Sequence, residues 1–147
     1  MKLYTSYFYQ IRNFPRNLIP LSTVVWPPKY PIKDSTGKPA LIIDCPPLKP
    51  GSECAGLCNG SCNPPHPQDC KFLQTYRKQL EAINVDEFIA QLIVLKERIE
   101  EGEHLEDVNF ALIVFEAPSR ACSERGELQN WLRAHGVEIE EWSKNDD

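Results

Sequence analysis

Five of the chain's six cysteines fall between Cys45 and Cys70, in a stretch filled out by Pro, Gly, Asn and Ser. Cys54, Cys58, Cys62 and Cys70 follow a C-x3-C-x3-C-x7-C spacing, with His66 inside the last gap. A loop with so little apolar matter cannot order itself around a core, so thiols at this density are expected to be tied to a metal or to one another. Zinc takes four thiolates tetrahedrally and folds short loops that lack a core. We expect a structural zinc on Cys54, Cys58, Cys62 and Cys70, with Cys45 or His66 as substitute ligands. An iron–sulfur cluster also accepts four cysteines, but its commoner motifs use two-residue gaps. Disulfides or free thiols are the third alternative.

A second group of reactive residues lies late in the chain: Glu116, Arg120, Cys122, Ser123 and Arg125, directly after an apolar run. Ser123 suits a helix cap, and a helix amino terminus offers free N–H groups and a dipole that favour anions. The same field lowers a thiol pKa and would make Cys122 a better nucleophile, with Glu116 as acid or base. Arg125 can fork onto a phosphate or carboxylate, or spend itself on a salt bridge with Glu116 or Glu124. Arg125 stands three residues after Cys122, which is too close for a phosphatase loop. Neither a Gly-x-Gly-x-x-Gly nor a Walker loop is present.

The elements that must position these groups read as an α/β alternation. Residues 3–8 and 19–26 are rich in aromatic and β-branched types and read as strands, the second stopped by Pro27 and Pro28. Ala40 to Ile43 is a weaker strand candidate. Two helices come next. The first is capped by Asp69 and buries Leu73, Tyr76, Leu80 and Ile83. The second opens on Asn84 and Glu87 as a capping box and buries Phe88, Leu92, Leu95 and Ile99. Residues 108–115 (VNFALIVF) are apolar on both alternating faces, as a strand buried in the middle of a parallel sheet must be. A helix from Ser123 buries Leu128, Trp131 and Leu132 and ends at Gly136, and residues 137–139 make a short last strand. The expected fold is a single α/β domain over residues 1–147: a small open, mostly parallel, Rossmann-like sheet with flanking helices, and residues 45–70 as a cysteine-rich metal-binding insertion.

In such a sheet ligands bind at the carboxyl ends of the strands. That places Ser6, Tyr7, Trp26, Glu116, Cys122, Ser123 and Arg125 around one site, and their chemistry points to a small anionic, nucleotide-like ligand. The composition, 41% hydrophobic and 25% charged, fits a globular domain. Apolar runs are too short to cross a bilayer, and MKLYTSYFYQ does not read as a signal peptide, so no membrane partner and a cytoplasmic location with reduced thiols are expected. The net charge is -5, yet residues 1–50 carry seven Lys or Arg against Asp34 and Asp44. Nucleic-acid binding through that basic third, with Tyr4, Tyr7, Tyr9, Trp26 and Tyr30 for stacking, is a further alternative.

KLYTSYF, IPLSTVVWPP and ALIVFEAPSRACSERGELQNWLRAHG together resemble the bacterial and phage family called "domain of unknown function 488". The match in order is a short opening strand, a second strand near Pro-Pro, and an apolar strand followed by Glu116, Pro118, Cys122 and Trp131-Leu132. The family's Cys-His-Arg step reads Cys122-Ser123-Glu124-Arg125 here, so no histidine role carries over. The resemblance covers roughly the first 30 and last 50 residues and leaves the cysteine-rich insertion outside it. It implies the α/β fold and a phage or mobile-element origin, hence a host cytoplasm and a host-interference role. It implies no established activity.

Overall fold

The computed structural model describes residues 1–57, 67–119 and 123–144. Five parallel strands form one sheet in the order β3-β2-β4-β1-β5: β1 (Leu3–Tyr7), β2 (Leu18–Ser22), β3 (Ile43–Asp44), β4 (Asn109–Val114) and β5 (Glu140–Glu141). The continuously apolar run is the middle strand, as its pattern requires, with Phe110 through Val114 fully buried. Helices α1 (Lys71–Glu81), α2 (Val85–Glu103) and α3 (Glu124–Ala134) complete the α/β fold.

The strands alternate between two cores. Phe110, Leu112 and Val114 pack with Leu3, Ile19 and Leu21 against the helices, through Tyr76, Leu80, Phe88, Leu92, Leu128 and Leu132. Ala111 and Ile113 face the other way, onto a core of Phe8, Ile11, Phe14, Val24 and Trp142. Among the described residues no α-helix covers that second face. It is closed by a 3-10 helix (Phe8–Asn13) between β1 and β2 and by the long connection from β2 to β3. The connections leaving β1 and β2 step one way along the sheet over the loop-covered face. Those leaving β3 and β4 step back over the helical face. That pairing of direction and face is what crossovers of one hand demand.

Local chemistry sets the boundaries. Asn84 caps α2, its side chain accepting from the Glu87 amide at 3.1 Å. Ser123 caps α3, its hydroxyl accepting from the Arg125 amide at 3.2 Å. Gly136 ends α3 at φ 79°, a conformation glycine adopts without strain. Several boundaries differ from expectation. The cap residue of α1 is Cys70 rather than Asp69, because residues Pro67–Asp69 form their own 3-10 turn. β2 stops at Ser22: the amide and the hydroxyl of Thr23 both donate to the Ile113 carbonyl, at 3.1 and 2.8 Å, and the chain then turns over the second face. β3 is only two residues, Ile43–Asp44. Thr23 donates toward β4, so by alternation the amide missing from Pro20 would have faced β3, and pairing there begins only at Leu21. The last strand is Glu140–Glu141, one step beyond the apolar residues 137–139.

Candidate functional site

A buried polar network gathers where β1, β4 and β5 meet the first turn of α3. Its hub is Arg125, which is 7% exposed. The Arg125 Nε donates to the Glu141 carboxylate at 2.5 Å, and Nη2 donates to the Glu116 carbonyl at 2.7 Å. Nη1 reaches the Ser123 hydroxyl at 3.4 Å, and the guanidinium carbon stands 5.8 Å from the centre of the Tyr7 ring. Glu141 also accepts from the Thr5 hydroxyl at 2.8 Å, and Thr5 in turn accepts from the Gln129 amide at 2.7 Å. One chain of hydrogen bonds therefore ties two strands, a helix and the loop after β4.

Carboxyl groups outnumber cations here. Burial raises the Glu141 carboxyl above its ordinary value, against the lowering pull of Thr5 and Arg125. Glu124, in the first turn of α3, is pushed up to about 7, first by burial and then by the neighbouring Glu116 carboxylate. Among the described residues, Glu116 Oε2, Glu141 Oε2 and Ser6 Oγ are buried with no hydrogen-bond partner.

The residues expected at the site divide. Tyr7, Glu116, Ser123 and Arg125 come together. Ser6 is fully buried at the same end of the sheet but, by strand alternation from Thr5, on the loop-covered face. Trp26 is 83% exposed beyond the end of β2. Cys122 and Arg120 lie outside the described residues. The ion-pair partner of Arg125 is Glu141 rather than Glu116 or Glu124. Thr5, Gln129 and Glu141 are network members that sequence reasoning missed. Thr5, a polar residue in a strand otherwise pointing apolar groups at the helices, was a usable signal, and so was the i, i+4 spacing of Arg125 and Gln129.

No protein-family model matches the chain, and no curated protein or solved structure does so either.

The stem of the cysteine-rich insertion lies beside this network. Cys45 and Cys54 are buried, and Cys70 is the residue before α1. All three are free thiols. Burial pushes Cys45 up to about 11 and raises Cys54, with Glu124 among the charges that Cys54 feels. The Tyr76 hydroxyl, raised by burial and then by Glu124, Cys45 and Cys54, donates to the Leu48 carbonyl at 2.5 Å. Gln79 accepts from the Gly51 amide at 2.8 Å and donates to the Lys49 carbonyl at 2.6 Å, while Gln74 donates to the Gln68 carbonyl at 2.9 Å. Both ends of the insertion are thus pinned to α1. Cys58, Cys62 and His66 lie outside the described residues, and among the described ones no three His, Cys, Asp or Glu side chains form a metal-ligand group. No helix among them is long and apolar enough to cross a membrane.

A hollow of about 900 Å3 opens at the opposite, amino-terminal edge of the sheet, beside Met1, Lys2 and Gly136. Its guanidinium, Arg133, is already committed to the Ile139 carbonyl at 2.7 and 3.2 Å. The two carboxyls whose proton affinity is raised, Glu124 and Glu141, are at the carboxyl edge, and we place the candidate site there.

Proposed function

We propose that the protein binds a small nucleotide-like ligand at the carboxyl ends of β1 and β4, against the first turn of α3. The observation that carries this reading is the pair of buried carboxylate oxygens, on Glu116 and Glu141, that accept no hydrogen bond among the described residues. Buried acceptors call for donors. Arg125 is neutralised by Glu141, so the positive field left for an anion is the amino terminus of α3. A ligand suited to both needs carries N–H or O–H donors on one part and an anionic group on another. A nucleoside phosphate has both. The position also fits: the connections leaving β1 and β4 part to opposite faces, and that crevice is where open α/β sheets take ligands.

A second reading is an enzyme with Cys122 as nucleophile. It is favoured by Glu124, whose carboxyl keeps its proton to about 7, the range a general acid or base needs. For the insertion we propose the zinc site of Cys54, Cys58, Cys62 and Cys70, on the strength of their spacing; an iron–sulfur cluster is the alternative. The motifs shared with the domain of unknown function 488 family support a phage or bacterial origin and a cytoplasmic setting.

Mass spectrometry of small molecules released from the purified protein tests the ligand reading. A nucleoside phosphate retained by the wild type and lost from Glu116→Gln is the expected result. Nothing retained, and no binding of added nucleoside phosphates, would sink it. Cys122→Ser separates the two readings, since a binder keeps its ligand and an enzyme loses its covalent chemistry.

A further inference from the structure

We infer that the loop-covered face of the sheet is a docking surface for single-stranded nucleic acid. The topology sorts the chain's charge by face. The two connections over this face, residues 8–17 and 23–42, carry Arg12, Arg16, Lys29, Lys33 and Lys38, all exposed, and a single acid, Asp34. Asp34 is consumed by its own turn: its carboxylate accepts from the Thr36 amide and hydroxyl and from the Lys38 amide, at 2.8, 2.6 and 3.1 Å. Among the described residues none of the five cations is ion-paired. Arg16 and Lys38 border the same hollow, of about 480 Å3, which Asp34 and Glu103 also line. The helical face is the reverse, with six acids on α2 (Asp86, Glu87, Glu97, Glu100, Glu101, Glu103) against Lys96 and Arg98.

The same connections hold the flat groups such a ligand needs. Tyr9, Trp26 and Tyr30 are 57%, 83% and 59% exposed. Arg12 lies over the Tyr9 ring at 4.2 Å and donates from Nε to the Tyr9 carbonyl at 3.1 Å, so its guanidinium is held as a plate with its outer side to solvent. Tyr7 backs Tyr9, the rings 6.5 Å apart and 16° from parallel. Aromatic and guanidinium plates take unstacked bases, and the cations around them take phosphates. A duplex keeps its bases stacked and is read by a helix or ribbon in its groove; among the described residues this face presents no α-helix. Five cations gathered on one face also reconcile a nucleic-acid surface with a chain whose net charge is -5.

Fluorescence anisotropy with labelled DNA and RNA strands of about 12 nucleotides tests this. Binding is expected to weaken about 100-fold between about 50 and 200 mM salt if five phosphates are neutralised. Lys29→Glu with Lys33→Glu, and Tyr9→Ala with Trp26→Ala, should each weaken it about tenfold or more, with an unchanged unfolding midpoint showing that the variants still fold. No binding at low salt would overturn the inference, as would binding that ignores both double variants. Vesicles rich in phosphatidylserine form the control arm: tighter binding to them than to the oligonucleotide, lost in the same variants, would make the face a membrane surface and overturn it too.

Discussion

The two faces of the sheet are built from the same strands and covered by opposite means. On one side three helices bury Leu112 and Val114 and enclose an acid-rich polar network. On the other a 3-10 helix and a long loop bury Ile113 and Ala111 and present exposed cations and rings. The helical side satisfies its backbone internally, so its side chains are free to build a fixed network. The loop side has few such constraints and tolerates exposed aromatic groups. A ligand needing a rigid, pre-arranged cradle belongs on the first, and an extended flexible chain on the second.

The largest effects should come from truncating the shared strand. Leu112→Ala and Ile113→Ala both remove fully buried side chains and should each cost about 2–5 kcal/mol in chemical denaturation. The cost depends on how far the surroundings collapse, so the helix-packed Leu112 should lie at the upper end and the loop-packed Ile113 at the lower. Equal costs would mean that the two covers are equally stiff.

Arg125→Ala should come second, at about 2–4 kcal/mol, because it strands the Glu141 carboxylate beside β1. The sharper variant is Arg125→Ala with Glu141→Gln, which removes the stranded charge and should recover part of the loss. If the double variant is no better than the single, Arg125 stabilises by packing rather than by its ion pair.

Glu124 gives a smaller, pH-dependent effect. Its folded carboxyl binds a proton up to about 7 and its unfolded one only to about 4.5. Between those values the folded state holds the extra proton, so stability falls as pH rises through the window. Glu124→Gln stays neutral throughout, and should be more stable than the wild type at pH 8 by about 1–3 kcal/mol while matching it near pH 4. Parallel stability profiles for the two proteins would show that Glu124 is not held in its acid form.

How much of this was legible in the sequence depended on how local the cause was. Asn84, Ser123 and Gly136 act on their own neighbours, and each sits where its chemistry predicts. The central strand was legible because burial on both faces leaves an unbroken apolar run. The parts that escaped are long-range. β5 is two glutamates, Glu140–Glu141, and nothing in their type suggests a strand; only pairing with Tyr4 and Thr5 makes them one. The Arg125 partner depends on that same pairing, so Glu141 stays out of view when the last strand is read at residues 137–139. Trp26 stands apart from the other expected site residues for a different reason: β2 ends at Ser22, and the residues after it belong to the loop-covered face.

The most direct test of the ligand site is an amide and side-chain NMR titration of the labelled protein with a panel of nucleoside phosphates. Saturable shifts are expected at Tyr7, Glu116, Ser123, Arg125 and the Gln129 side chain, abolished in Glu116→Gln. Shifts confined to Tyr9, Trp26 and Tyr30, or none at the carboxyl edge of β1 and β4, would contradict it.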